Sequence, residues 1–181
     1  MEMEICQCCG SEIRKYKGTF KSGPNYTISQ DNRSVTKCTS NAWDAIVIGS
    51  ENIAKNTITI INYRIELTDS NSYIMFGLSP KTINQKGSTL YCTTGWNFYS
   101  SSGGLYCQSP LSYSNFSYSN EKTLPSGTVI TMIVDTTIGK ISFKINGGEV
   151  KTAYHALTFD EPIVPCVMLY TKGDTVRLIY E

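Results

Sequence analysis

The sequence predicts an all-β chain folded as a two-sheet antiparallel β-sandwich, and three observations carry that reading. Ile, Val and Thr number 19, 8 and 20 and the aromatics another 20, against 14 for Ala and Leu together, a balance that favours pleated strands over helices. Apolar residues alternate with polar ones in some segments and run unbroken in others, and no 3.6-residue period of useful length occurs. Turn-forming residues separate many short apolar pieces, as in a sandwich of antiparallel strands. At 181 residues the chain has length enough for one hydrophobic core.

Met1 to Gly10 is acidic and cysteine-rich with no apolar run behind it, which suits neither a secretory signal nor a transit peptide and predicts a cytoplasmic protein. Residues 1–18 read as a cysteine-containing arm and 19–181 as the folded domain. Between Thr57 and Thr68, Ile61, Tyr63, Ile65 and Leu67 alternate with Asn62, Arg64 and Glu66, so one face of this strand is buried and the other wet. Tyr73 to Leu78 is apolar throughout, and the Thr68-Asp69-Ser70-Asn71-Ser72 cluster between the two predicts a hairpin. Short strands are expected at Thr89 to Thr93, Trp96 to Tyr99 and Gly104 to Cys107; the bulky Trp96, Phe98, Leu105, Leu111 and Phe116 argue against a solvated linker over 100–119. Val129 to Val134 and Ile141 to Ile145 are strands joined by Asp135 to Gly139, and Asn146-Gly147 ends the second with residues suited to positive φ. Pro162 to Tyr170 and Thr175 to Tyr180 are read as a last hairpin turned at Lys172-Gly173-Asp174. Lys140 to Lys144 is taken as an exposed edge strand whose lysines discourage edge pairing and favour a monomer.

A net charge of +1 with 17% charged residues supplies no broad field for a phosphate backbone or an anionic surface, so neither nucleic acid nor a membrane is an expected partner. No run approaches the roughly 20 apolar residues of a membrane helix. Seven cysteines are odd in number and unevenly spaced, which suits reduced thiols. The single histidine, His155, lies in the turn-like segment Thr152 to Leu157 with no nucleophile motif around it, and Gly147-Gly148 is followed by neither a helix nor a Walker lysine. Asp160-Glu161 sits in a turn before Pro162. No catalytic residue is assigned. Cys6-x-Cys8-Cys9 is dense in thiolates but lacks the second ligand pair of a tetrahedral zinc site, and Cys38 joins it only by folding; no metal or other cofactor is assigned.

Taken together these pieces resemble a SPRY domain, over about residues 19 to 181. The matching motifs come in the family's order: Gly23-Pro24-Asn25-Tyr26, Val35-Thr36-Lys37, Trp43 with Ile48-Gly49, Ile74 to Leu78, Gly95-Trp96-x-Phe98 and Leu105-Tyr106. The most specific follow, Gly127 to Asp135, Gly139 to Gly147, Pro165 to Tyr170 and Gly173-Asp174-Thr175-Val176. The resemblance implies a bent two-sheet β-sandwich of the concanavalin-like jelly-roll type, acting as a non-catalytic module that binds a protein or peptide ligand through loops at one edge. Carried over residue by residue, it implies partner-binding roles for Pro24, Asn25, Tyr26, Ser88, Thr89, Tyr170, Thr171 and Lys172. Thr171 stands where some peptide-binding relatives place a bulky aromatic, which argues against a deep pocket, and Trp43 and Trp96 are assigned to packing. Without a complete RING or B-box cysteine pattern or a coiled coil, it resembles a stand-alone SPRY protein acting as an adaptor.

A second reading, a carbohydrate-binding sandwich, rests on aromatics and Asn-rich loops suited to stacking on sugar rings. Against it, the outer-face positions Asn62, Arg64, Glu66, Lys140, Ser142 and Lys144 include no aromatic. A third, an enzyme using a cysteine with His155, has no supporting sequence context.

Overall fold

A computed structural model of the chain describes residues 4–71, 73–87, 95–107 and 124–180. Among these residues there are fourteen strands and no helix. In chain order the strands are β1 (Glu4–Ile5), β2 (Glu12–Lys15), β3 (Tyr26–Ile28), β4 (Ser34–Lys37), β5 (Val47–Ile48), β6 (Thr57–Glu66) and β7 (Ile74–Pro80), then β8 (Trp96–Tyr99), β9 (Leu105–Cys107), β10 (Val129–Asp135), β11 (Lys140–Ile145), β12 (Lys151–Tyr154), β13 (Ile163–Leu169) and β14 (Thr175–Ile179). The larger sheet runs β12-β11-β10-β6-β14-β4-β3, with the β1–β2 hairpin added beside β6; the smaller runs β5-β13-β7-β8-β9. Every described pairing is antiparallel except that of β2 with β6. Tyr16, just past β2, is buried and donates its amide to Ile60 O at 2.8 Å, so the N-terminal segment continues onto the large sheet.

The two sheets bury their facing sides against each other. Tyr63 on β6 meets Phe76 on β7 with ring centroids 5.1 Å apart, and Phe98 on β8 meets Phe143 on β11 at 5.0 Å. Strand β6 alternates because only one face of the large sheet is covered: Ile61, Tyr63 and Ile65 point into the core while Asn62 and Arg64 stay partly exposed. Strands β7 and β13 are apolar throughout for a different reason. Their second face packs in a separate cluster of Ile46, Ile48, Met75, Val164, Cys166 and Met168, so the small sheet is buried on both sides.

Four expectations are corrected here. Strands β6 and β7 are not hairpin partners but lie in opposite sheets, and so do β13 and β14. The turn-forming residues between them mark places where the chain crosses the sandwich, and a crossing needs the same flexible, polar residues as a hairpin. Strand β11 is not an edge, because the segment read as a turn after Thr152 continues β12 through Tyr154 and pairs outside it. Ser142, expected on a wet face, is 1% exposed. By contrast β10 and β11 form the expected hairpin, and Asn146 and Gly147 have φ of 48° and 71°. Strands β8 and β9 also form where expected, whereas Thr89 to Thr93 and 108–119 lie outside the described residues.

Tyr154 ties the sheets together. From strand β12 its hydroxyl donates to Asn97 O at 2.7 Å and lies 3.1 Å from Tyr106 O, both carbonyls of the small sheet. The Tyr63 hydroxyl, equally buried, has no hydrogen-bond partner among the described residues. Opposite outcomes are expected from the same chemical change. Tyr154→Phe should lower unfolding free energy by about 1–2 kcal/mol, whereas Tyr63→Phe should leave it unchanged or raise it, both measured by urea denaturation.

Candidate functional site

Three times the chain passes between the sheets at the same end of the sandwich: from β4 to β5 through residues 38–46, from β6 to β7 through 67–73, and from β13 to β14 through 170–174. The register places these ends together, since Thr175 pairs with both Glu66 and Thr36, and Leu169 pairs with Ile74. Asp174 joins all three. Its carboxylate Oδ1 accepts from the Thr68 amide and hydroxyl, each at 2.9 Å, and its carbonyl accepts from Lys37 N at 3.0 Å. Gly173, at φ 93°, turns the chain so that its own amide donates to Lys37 O at 2.8 Å. Asp174 is fully buried; that burial pushes its carboxyl up, against the pull of the Thr68 hydrogen bonds.

The loops assigned from sequence meet on the first crossing. Lys172 N donates to Asn41 Oδ1 at 2.8 Å and Ala42 N to Tyr170 O at 3.1 Å. Gly87 N donates to Asp44 O at 3.0 Å and Ile46 N to Gln85 O at 3.0 Å, while the Asn25 carbonyl accepts from Cys38 N at 3.1 Å. The segment from Asn41 to Ile46 is therefore the floor on which the 22–26, 84–87 and 170–172 loops rest. Pro24 and Asn25 are half-buried, Asn25 at φ 66°, and Lys172 is exposed. Tyr26 is instead a core residue, 7% exposed, whose hydroxyl donates to Ala45 O at 2.9 Å and accepts from Leu169 N at 3.1 Å. Thr171 is also buried, at 6%. Ser88 and Thr89 lie outside the described residues.

Beside Tyr170 the structure gathers aromatics that the sequence reading left out. The half-buried Tyr170 ring packs on Trp43 at 5.4 Å and on Tyr73 at 5.8 Å, and Trp43 meets Tyr99 edge-on at 5.8 Å. Trp43 does pack, as assigned, but it packs in a partly exposed group at the crossings. The available signal was its setting, a single large aromatic among Thr39, Ser40, Asn41 and Asp44, which are turn-forming and not strand-forming.

Other sequence candidates lie elsewhere. His155 is exposed just past β12. Cys166 is fully buried, its thiol pushed up to about 12 by that burial, a state that disfavours the nucleophilic thiolate. Trp96 packs edge-on against Phe159 at 5.3 Å and lines a cavity of about 250 Å³ with Pro80 and Ile163; a neighbouring cavity of about 400 Å³ is bounded by Ile53, Ile138 and Leu157. Both sit at the Pro80 and Ile163 ends of β7 and β13, the opposite ends from Tyr73 and Tyr170. In the N-terminal turn, Cys6 is lowered to about 7 by hydrogen bonds from Cys8 and Cys9.

One ion pair sits beneath the loops. The Lys37 side chain is wholly buried, donates to Asp44 Oδ1, and lies 5.1 Å above the Tyr26 ring. Partial burial pushes the Asp44 carboxyl up, but hydrogen bonds from Lys37 and Asn25 together with the Lys37 charge outweigh it and hold the group below the ordinary carboxylate range. A depressed carboxylate stabilises the fold fully above that range and loses its contribution as pH falls through it. Parent protein should therefore lose melting temperature in acid more steeply than Asp44→Asn. At neutral pH Asp44→Ala should cost about 2–3 kcal/mol by leaving the Lys37 ammonium buried and unpaired, less than for a fully buried pair because Asp44 is one-third exposed. Asp174→Ala should cost about 2 kcal/mol in urea denaturation by freeing the Thr68 crossing.

The SPRY domain family matches residues 61–181. The fold is similar to that of the SPRY domain of human HERC1, with a TM-score of 0.71 at 20% identity over 88% of this chain and 96% of that one. It is similar to the TRIM65 PSpry domain, with a TM-score of 0.65 at 16% identity over 93% and 94%. The Drosophila melanogaster neuralized NHR1 domain also aligns, with a TM-score of 0.61 at 15% identity over 91% and 98%. No curated protein matches the chain. The β-sandwich and the match over two-thirds of its length place this chain in the SPRY domain family, whose members are generally protein-interaction modules without catalysis.

Proposed function

We propose that this chain is a non-catalytic adaptor that binds a short peptide or a surface patch of a partner protein at the end where the chain crosses between sheets. The observation that carries the reading is the convergence of the 22–26, 84–87 and 170–172 loops on Asn41 to Ile46, beside the partly exposed rings of Trp43, Tyr73, Tyr99 and Tyr170. Such a surface offers rigid aromatic area with backbone and amide groups around it, the chemistry of a shallow peptide site. With Tyr26 and Thr171 buried, Tyr170, Asn25, Pro24 and Lys172 remain as its contact residues. The floor is held by Lys37–Asp44 and Asp174, so binding requires little reordering.

The six described cysteines are free thiols, which suits the reducing cytoplasm. A monomer is in keeping with the edges that β3 and β5 form among the described residues, whose three and two residues are too short to template pairing.

Peptides selected from a random display library on the parent protein provide the test, with variants checked for folding by near-ultraviolet circular dichroism. Tyr170→Ala and Lys172→Glu should each weaken the selected peptide roughly tenfold, and Ile138→Asp, at the opposite end, should not. Loss with Ile138→Asp alone would move the site to the Ile53, Ile138 and Leu157 cavity. If no peptide is selected but a glycan array gives binding that Tyr170→Ala removes, the aromatic group serves the carbohydrate reading instead.

A further inference from the structure

We propose that Cys6, Cys8 and Cys9 form a three-thiolate site for one soft, closed-shell metal ion, Zn²⁺ or Cu⁺, held in the turn of the N-terminal hairpin. The three sulfurs all lie within 4.8 Å of one another, and those of Cys6 and Cys8 are 2.9 Å apart. Thiolate ligands select ions of this class over hard cations.

The turn is built, not loose. Strands β1 and β2 pair as Glu4 with Ile13 and Ile5 with Glu12, and the chain closes with Cys6 N donating to Ser11 O and Gly10 N to Cys6 O, each at 2.8 Å. Gly10, at φ 71°, takes the left-handed conformation that lets the chain double back and set Cys9 beside Cys6. Strand β2 is in turn bonded to β6 in parallel register from Glu12–Thr57 to Lys15–Ile60, which anchors the hairpin to the large sheet. The Cys-x-x-Cys spacing of Cys6 and Cys9 is that of one half of a structural zinc site, and Cys8 between them supplies a third sulfur.

Around a tetrahedral ion with Zn–S of about 2.3 Å, sulfurs stand about 3.8 Å apart, so Cys6 and Cys8 would separate by about 1 Å. Cys8 and Cys9 are exposed and Cys6 half-exposed, and side-chain rotations suffice. The group comprises Cys6, Cys8 and Cys9 and does not include Cys38. Three sulfurs complete a trigonal Cu⁺ site, whereas on Zn²⁺ they leave one position for water or for a side chain of another molecule.

The test uses the full chain under reducing conditions, titrated with Zn²⁺ against a chromophoric chelator and, in a second arm, with Cu⁺ against a Cu⁺-specific chelator. One ion per chain is expected in at least one arm, lost in Cys6→Ser and Cys9→Ser and kept in Cys38→Ser; the arm that binds identifies the ion. Co²⁺ in place of Zn²⁺ should show thiolate-to-metal charge transfer in the near ultraviolet. Alkylation mapped by mass spectrometry gives an independent readout on the parent, with Cys6, Cys8 and Cys9 protected by metal while exposed Cys38 reacts as before. Failure to compete with the chelator in both arms, or unchanged binding in Cys6→Ser, or unprotected Cys6 and Cys9, would overturn the proposal.

Discussion

Strand β6 hydrogen-bonds to β10 along residues 58–64 on one side, and on the other to β2 along 57–60 and to β14 along 62–66. This one strand therefore sets the position of both halves of the large sheet. Its period of two leaves no freedom of register: a slip by one residue would turn Ile61, Tyr63 and Ile65 out to water and bring Asn62 and Arg64 into the core. Once β6 is fixed, β10 carries β11 and, through it, β12, while β14 carries β4 and β3. The N-terminal hairpin with its three cysteines takes its place from the same strand.

The candidate site follows from how a chain changes sheets. Each of the three crossings at one end of the sandwich lays a loop over the open end of the core, and the loops cover polar groups that would otherwise be orphaned there. Asp174 and the Lys37–Asp44 pair satisfy those groups and in doing so fix the loops against one another. A surface made this way is rigid without regular secondary structure, and its outer residues are free to vary because the inner ones hold the shape.

Much of the fold was legible along the chain. The alternation of β6, the Asn146-Gly147 turn and the unbroken apolarity of β7 all correspond to what the structure shows. What misled was pairing. Thr68 to Ser72 and Lys172 to Asp174 have the composition of hairpin turns, and nothing local distinguishes a turn to the neighbouring strand from a crossing to the facing sheet about 10 Å away. The same limit applied to the site: Tyr26 and Thr171 sit in loop-like sequence, yet one fills the core and the other lies beneath the crossings, while Trp43 and Tyr99 meet although they are 56 positions apart in the chain.

The sequence by itself determined the β class, the family and the positions of β6 to β11, β13 and β14, because periodicity, turn residues and family motifs are properties of contiguous segments. Only the tertiary structure decided which strands share a sheet, which loop residues face solvent, and that the 84–87 and 170–172 loops rest on Asn41 to Ile46. It also brought the three N-terminal sulfurs within 4.8 Å and left Cys38 out of their group. Those outcomes depend on distances between segments remote in the chain and on side-chain orientation, which hydrophobic burial fixes only when both sheets close on the core.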